Sequence, residues 1–212
     1  MYKFYAIMWK KRRGEIVSYK DSNEITIRVK CSENKLKEIL QKDKFILKNE
    51  YYARDIFLIP QNINIFKIST RDVLSKAILL REFQGITSDK HKMRITIKHK
   101  RINNNGEILS QNSINCEIKS IEDAKEIFED IGYKEIMTIK EKHFAYFRDD
   151  LNIIIKVISN DNILIEAELN EAYKDIDALK KAINNTSIPF DNSNYFVKKA
   201  EEELNKIKSG DV

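Results

Sequence analysis

The stretch MRITIKHK at residues 93–100 alternates without a break: Met93, Ile95 and Ile97 face one way, and Arg94, Thr96 and Lys98 the other. A period of two marks a β-strand with unlike faces, because successive side chains leave opposite sides of a pleated backbone. EITIRV at 24–29 repeats it, with Glu24, Thr26 and Arg28 opposed to Ile25, Ile27 and Val29. So do the pairs Lys140 with Lys142 and Glu166 with Glu168, and Lys156 lies opposite Ile155 and Val157.

Extending this reading outward predicts strands over 2–9, 15–19, 24–31, 52–59, 63–68, 77–84, 92–101, 113–119, 136–147, 151–158 and 162–169, separated by short polar turns. Helical spacing appears over 33–41, 121–131, 170–184 and 193–208. The second of these opens with Ser120 and Asp123 at capping-box spacing and stops at Gly132. Many antiparallel strands with helices between and after them predict an α+β fold, a barrel or a curled sheet. No Pro/Ser-rich linker divides the chain, so residues 23–212 read as one domain and residues 1–22 as an extension forming an extra hairpin.

Two arrangements produce such charged strand faces. One is a sheet with a solvated side. The other is a barrel with a polar lumen and helices on its outside. A single strand reads more simply as the first. The strong charge of the polar side and the like charges at i, i+2, which an oppositely charged ligand would compensate, speak for the second, and alternation by itself is consistent with both.

Composition removes several classes. The chain has 212 residues, 42% hydrophobic and 33% charged, with 38 Lys+Arg against 33 Asp+Glu for a formal charge of +5. That surplus favours an anionic partner but is too small to identify a nucleic-acid binder. Cys31 and Cys116 are far apart and form no CxxC pair, which argues against a thiolate metal site and a disulfide framework. The N-terminal MYKFYAIMWKKRR is apolar first and basic afterwards, the reverse of a secretory signal, and no apolar run is of membrane-spanning length, so the cytoplasm is the expected location. With 5 Gly and no Gly-rich phosphate loop, any phosphate must be held by side chains. His91, His99 and His143 are too scattered for a zinc site and read as surface or packing residues, as does the pair Tyr51-Tyr52.

From Asn23 to Tyr195 the chain resembles the CYTH domain, the triphosphate tunnel proteins that include thiamine triphosphatases, inorganic triphosphatases and class IV adenylyl cyclases. The ExExK strand is matched by EITIR at 24–28, and a helix with LKEIL at 36–40 follows. Asp55-Ile-Phe57 is similar to the next strand motif, and KAILLRE carries Arg81 where the family has a phosphate-binding arginine. RITIKHK supplies Thr96 and Lys98, INCEIK an acidic position at Glu117, and AKEIFEDIGY the helix with its terminal glycine. Lys140-Glu-Lys142 resembles K-x-R, LIEAEL carries the closing E-x-E as Glu166 and Glu168, and Asn194-Tyr195-Phe196 matches the terminal element. The departures are Thr26 for the second glutamate, Arg28 for the lysine, Lys142 for the arginine, and Lys156 where the family has a metal-binding aspartate.

The resemblance implies an antiparallel eight-stranded β-barrel with flanking helices and, inside it, a phosphate-binding set of Arg28, Arg81, Arg94, Lys98, Lys140 and Lys142. It also implies a metal set of Glu24, Glu166, Glu168 and Glu117 for Mg²⁺ or Mn²⁺, reduced toward a single ion by Thr26 and Lys156. The implied activity is hydrolysis of a triphosphate-bearing compound. The alternatives are a binding module for polyphosphate, nucleotide or an RNA 5′ end that has lost catalysis, and a cyclase. The expected partner is a polyphosphate-containing small molecule, with no membrane association and a monomeric or homodimeric state.

Overall fold

The computed structural model describes residues 24–102, 108–159 and 162–211, so the hairpin expected over 1–22 lies outside the described residues. In chain order the elements are β1 (Glu24–Arg28), α1 (Glu33–Lys42), β2 (Ile46–Pro60), α2 (Thr70–Ser75), β3 (Ile78–Gly85), β4 (His91–Ile102), β5 (Ile108–Ile118), α3 (Ile121–Asp130), β6 (Tyr133–Arg148), β7 (Leu151–Ser159), β8 (Asn162–Glu168), α4 (Ile176–Asn184) and α5 (Lys199–Ser209). The eight strands form one sheet in the order β1-β8-β7-β6-β2-β3-β4-β5, with every neighbouring pair antiparallel. This is the expected α+β class. Among the described residues the hydrogen-bond ladder ends at β1 and β5 without joining them.

The sheet is curled. Five strand spacings separate β8 from β4, about 24 Å in a flat sheet. Yet the Lys98 ammonium on β4 acts on the carboxyls of Glu166 and Glu168 on β8. Curling brings these faces into one concavity.

The two surfaces have opposite chemistry. On the convex side, Ile25, Ile27, Phe144, Ile153, Ile155 and Ile165 are buried beneath Leu36 and Leu40 of α1 and Leu179 and Ile183 of α4. A second convex patch, Ile56, Leu58 and Leu80, lies under Ile121 and Ala124 of α3. Each fully buried Leu, Ile or Phe contributes about 1.5–3 kcal/mol, so the outside of the curl is where the fold gains its hydrophobic stability. The concave side is apolar at one end only, where Phe57, Leu79, Met137 and Ile139 meet Val73 of α2 and Leu204 of α5. Along the remainder charged residues are interspersed with Tyr51, Phe83, Ile154 and Leu164.

Helix termini follow their sequence signals. The Ser32, Ser69 and Ser120 side chains accept the backbone N–H three residues on and start α1, α2 and α3. Gly132, at φ 92°, takes the left-handed conformation that follows α3. The strand expected over 63–68 is instead a series of turns: Asn64 accepts from the Phe66 N–H, and Lys67 N–H donates to the Asn64 carbonyl. Its alternating Ile63, Ile65 and Ile68 pack onto the apolar end of the concavity without joining the sheet. Helix α4 begins at 176 and not 170, because Asn170 accepts from the Ala172 and Tyr173 N–H groups in a local turn and Asp175 makes the cap. Helix α5 begins at 199 because Tyr195 to Val197 run along the free edge of β1, with Thr26 N–H donating to the Tyr195 carbonyl and Val197 N–H to that of Thr26. Among the described residues no helix is long and apolar enough to cross a membrane.

Candidate functional site

Strand register decides which charges share the concavity. Asp55 on β2 is level with Arg81 on β3, which is level with Arg94 on β4. Across β8, Thr26 is level with Glu166 and Glu24 with Glu168. Residues level across a ladder share a face, and diagonal neighbours two positions on lie within side-chain reach. Arg28, Arg81, Arg94, Lys98, Glu24, Glu166 and Glu168 therefore stand on the concave face, together with Lys156. Glu117 is level with Arg94 but stands on the edge strand, 69% exposed and 3.5 Å from Lys92, outside the carboxylate group.

Lys140 and Lys142 are on the other side. On β6 the inward residues are Glu141, level with Ala53, and His143, level with Tyr51. Lys140 is exposed, and Lys142 lies over the Phe144 ring and 3.9 Å from Glu33 of α1. The expected pairing of these lysines with Arg81 and Lys98 is corrected by one residue of register, since a single step turns a side chain through the sheet. Phe144 and Tyr146 carry the signal for the phase. Both lie in the convex apolar core, so Lys140 and Lys142, four and two residues earlier than Phe144, must share that face.

The cationic half centres on Arg81 and Arg94. Arg81 makes a bidentate pair with the buried Asp55, at 2.8 and 3.0 Å. Burial alone would raise the Asp55 carboxyl, but Arg81 and Lys199 beside it hold it well below the usual carboxylate range. Arg94 has no such partner. Its Nε is buried without a hydrogen bond, its guanidinium lies 5.1 Å from the Phe83 ring centre, and burial plus the neighbouring Arg81 push its pKa down to about 10. A guanidinium remains charged at neutral pH even so, and its unpaired N–H is suited to an anion oxygen. Arg28 is held at one end, donating to Asn162 at 2.5 Å and Glu202 of α5 at 2.6 Å.

The acidic half is Glu24, Glu166 and Glu168, whose carboxylate oxygens lie within 4.8 Å of one another. Lys156 enters this group from β7 and donates to Glu166. Burial would raise the Glu166 carboxyl, but Lys156 holds it low. Glu168 has no comparable neighbour: burial, then Glu166 and Glu24, push it up to about 7. Three close carboxylates with an excess of negative charge form the oxygen donor set of a hard divalent cation. Glu24, Glu166 and Glu168 therefore fit such a cation chemically.

A third group was not legible in the sequence as a site. Lys199, the first residue of α5, bonds Glu141 and lies 3.5 Å from Asp55; Glu141 in turn bonds the Nε2 of His143. His143 is buried, its Nδ1 has no partner, and burial followed by the charge of Lys156 pushes its pKa down to about 3, so it is neutral at physiological pH. Of the surface and packing roles expected of it, it takes the packing one. The Tyr51 ring stands edge-on to His143 at 4.9 Å and to Phe83 at 5.5 Å.

No protein-family model and no curated protein matches the chain. Solved structures do. The PH1819 protein of Pyrococcus horikoshii covers 87% of this chain and 99% of its own length at 16% identity, with a TM-score of 0.59. A candidate adenylate cyclase of Vibrio parahaemolyticus covers 89% and 99% at 14% identity, with a TM-score of 0.57. A candidate adenylyl cyclase of Hippeastrum, described as having a dominant triphosphatase activity, covers 90% and 96% at 12% identity, with a TM-score of 0.54. At these identities the likeness is one of fold.

Proposed function

We propose that this chain, which has the fold of the CYTH-type triphosphate tunnel proteins, binds a triphosphate-bearing small molecule in its concavity and hydrolyses it with the help of a divalent cation. Supporting this is the opposition, inside one curled sheet, of Arg81, Arg94 and Lys98 to Glu24, Glu166 and Glu168. Phosphate oxygens are drawn to the guanidinium side by charge-assisted hydrogen bonds, beginning with the unpaired Nε of Arg94. Carboxylates repel phosphate, so the acidic side contributes by holding Mg²⁺ or Mn²⁺, which would polarise phosphoryl oxygens when bound.

The protein's own groups then position and stabilise. Arg94 and Lys98 fix the phosphate chain, and Arg81, held by Asp55, adds fixed positive charge as the bridging P–O bond breaks and negative charge gathers on the leaving phosphate. The apolar end under Leu204 limits how far the ligand enters. Incubation with tripolyphosphate, thiamine triphosphate and ATP, each with Mg²⁺ and Mn²⁺, should release inorganic phosphate measurable with malachite green. Silence with every compound beside a clear thermal shift with tripolyphosphate would leave binding alone. The Lys156–Glu166 pair favours that second reading, since it places a fixed positive charge among the metal-holding carboxylates.

A further inference from the structure

Lys156 is a cation of the concavity tied directly into the carboxylate group. Its side chain is 12% exposed, and it donates to Glu166, itself 14% exposed. Glu166 and Glu24 act on it from the β8 and β1 side, and Arg81 acts on it from across the concavity. The ammonium therefore lies at the boundary between the acidic and the cationic halves. An ammonium carries three protons. Glu166 takes one, and Lys156 makes no second hydrogen bond among the described residues. A group that touches a carboxylate on one side and offers hydrogen-bond donors on the other has the bridging geometry of a metal ion between a carboxylate and a phosphate.

We propose that Lys156 is a tethered cation that links Glu166 to the bound polyphosphate, so that the chain grips its ligand without a divalent ion. This rests on the triphosphate-binding function proposed above and assigns the grip to one residue. A divalent ion on Glu24 and Glu168 then serves the hydrolytic step and adds little to affinity. The lysine is permanently present and cannot be chelated, and it repels a metal ion that would share Glu166.

Titration calorimetry with tripolyphosphate, in EDTA and again in Mn²⁺, tests the assignment. The wild-type chain should bind with affinities within about threefold of each other in the two buffers. Lys156→Gln should lose roughly 10- to 100-fold in EDTA, the span expected when a charged hydrogen bond is removed, and recover most of that in Mn²⁺. Wild-type binding that requires Mn²⁺ overturns the role of Lys156 and leaves the triphosphate function standing. Wild-type binding in neither buffer overturns that function itself. Unchanged affinity of Lys156→Gln in EDTA also overturns the role of Lys156. Because Lys156→Gln leaves Glu166 buried without a partner, the double variant Lys156→Gln/Glu166→Gln is measured beside it. This variant keeps the local charge balanced, and it should fold and show the same loss in EDTA; retained affinity there counts against the proposal.

Discussion

Replacing Asp55 by Asn tests the buried electrostatics on which the concavity depends. The substitution keeps the shape of the side chain and removes its charge. Asp55 is 3% exposed and bonds Arg81 at 2.8 and 3.0 Å, with Lys199 at 3.5 Å. Without the carboxylate, Arg81 would stand between Arg94 and Lys199 with no adjacent counter-charge. Removing one partner of a buried pair costs about 3–5 kcal/mol, because the remaining charge stays desolvated. A domain of this kind has a total stability of about 5–15 kcal/mol, so the variant should fold but with much of its margin gone. With a urea m-value of about 2 kcal/mol/M, the midpoint should fall by about 1.5–2.5 M in melts followed by circular dichroism at pH 7.

The pH dependence fixes the sign. The folded-state pKa of Asp55 is depressed, so its contribution is present above the unfolded value near 4 and is lost as pH falls toward the folded one. The difference between wild type and Asp55→Asn should therefore shrink as the melts are taken below about pH 4. Tripolyphosphate should stabilise the variant more than the wild type, because Arg81 is released to meet phosphate. A midpoint shift below about 0.5 M, or equal stabilisation of both proteins by tripolyphosphate, would refute the reasoning.

Glu168→Gln should flatten the pH dependence of Mn²⁺ affinity, which in the wild type should rise through about pH 7 as the Glu168 carboxyl loses its proton. The metal-free wild type should also lose about 3 kcal/mol relative to Glu168→Gln between pH 4.5 and 7, since a raised folded pKa gives stability that disappears as pH climbs through it; parallel stability curves for the two would count against this. Leu204→Ala should cost about 2–5 kcal/mol in chemical denaturation, because Leu204 is fully buried between α2 and the apolar end of the concavity. Gly85→Ala should cost about 1–3 kcal/mol by the same measurement, since a Cβ there would lie 2.4 Å from both the carbonyl oxygen and the Oγ of Ser88.

Alternation made much of the fold legible. The phases of β1, β4, β7 and β8 can be read directly, because each sets Ile or Val against Glu, Arg, Lys or Thr. Strand β6 misleads because both of its faces carry charge. Lys140 and Lys142 lie outside, Glu141 and His143 inside, and only Phe144 and Tyr146, read as core, fix its phase. The segment 63–68 has strand periodicity but lies in turns set by Asn64, and α2 is too short to produce a helical pattern. Which acid neutralises which base was not legible at all. That follows from β2 lying between β3 and β6, and from α5 returning to place Lys199 against Glu141 and Asp55.

Those pairings determine how an anion can be bound. Arg81 is committed to Asp55, Lys199 to Glu141, Lys156 to Glu166 and Arg28 to Glu202. An interior so compensated can stand without its ligand, since most of its buried charges already face an opposite one and the acidic group keeps only a modest excess. The same compensation reduces affinity, because an incoming phosphate must share cations that already have carboxylates. The ligand is therefore expected to bind first where the protein has left a donor unmatched. Arg94 is that place: its Nε is buried without a hydrogen bond, its plane is supported by Phe83, and Arg81 beside it adds positive charge. Affinity should then depend more steeply on Arg94 than on Arg81, although Arg81 stands at the motif position that the resemblance singles out.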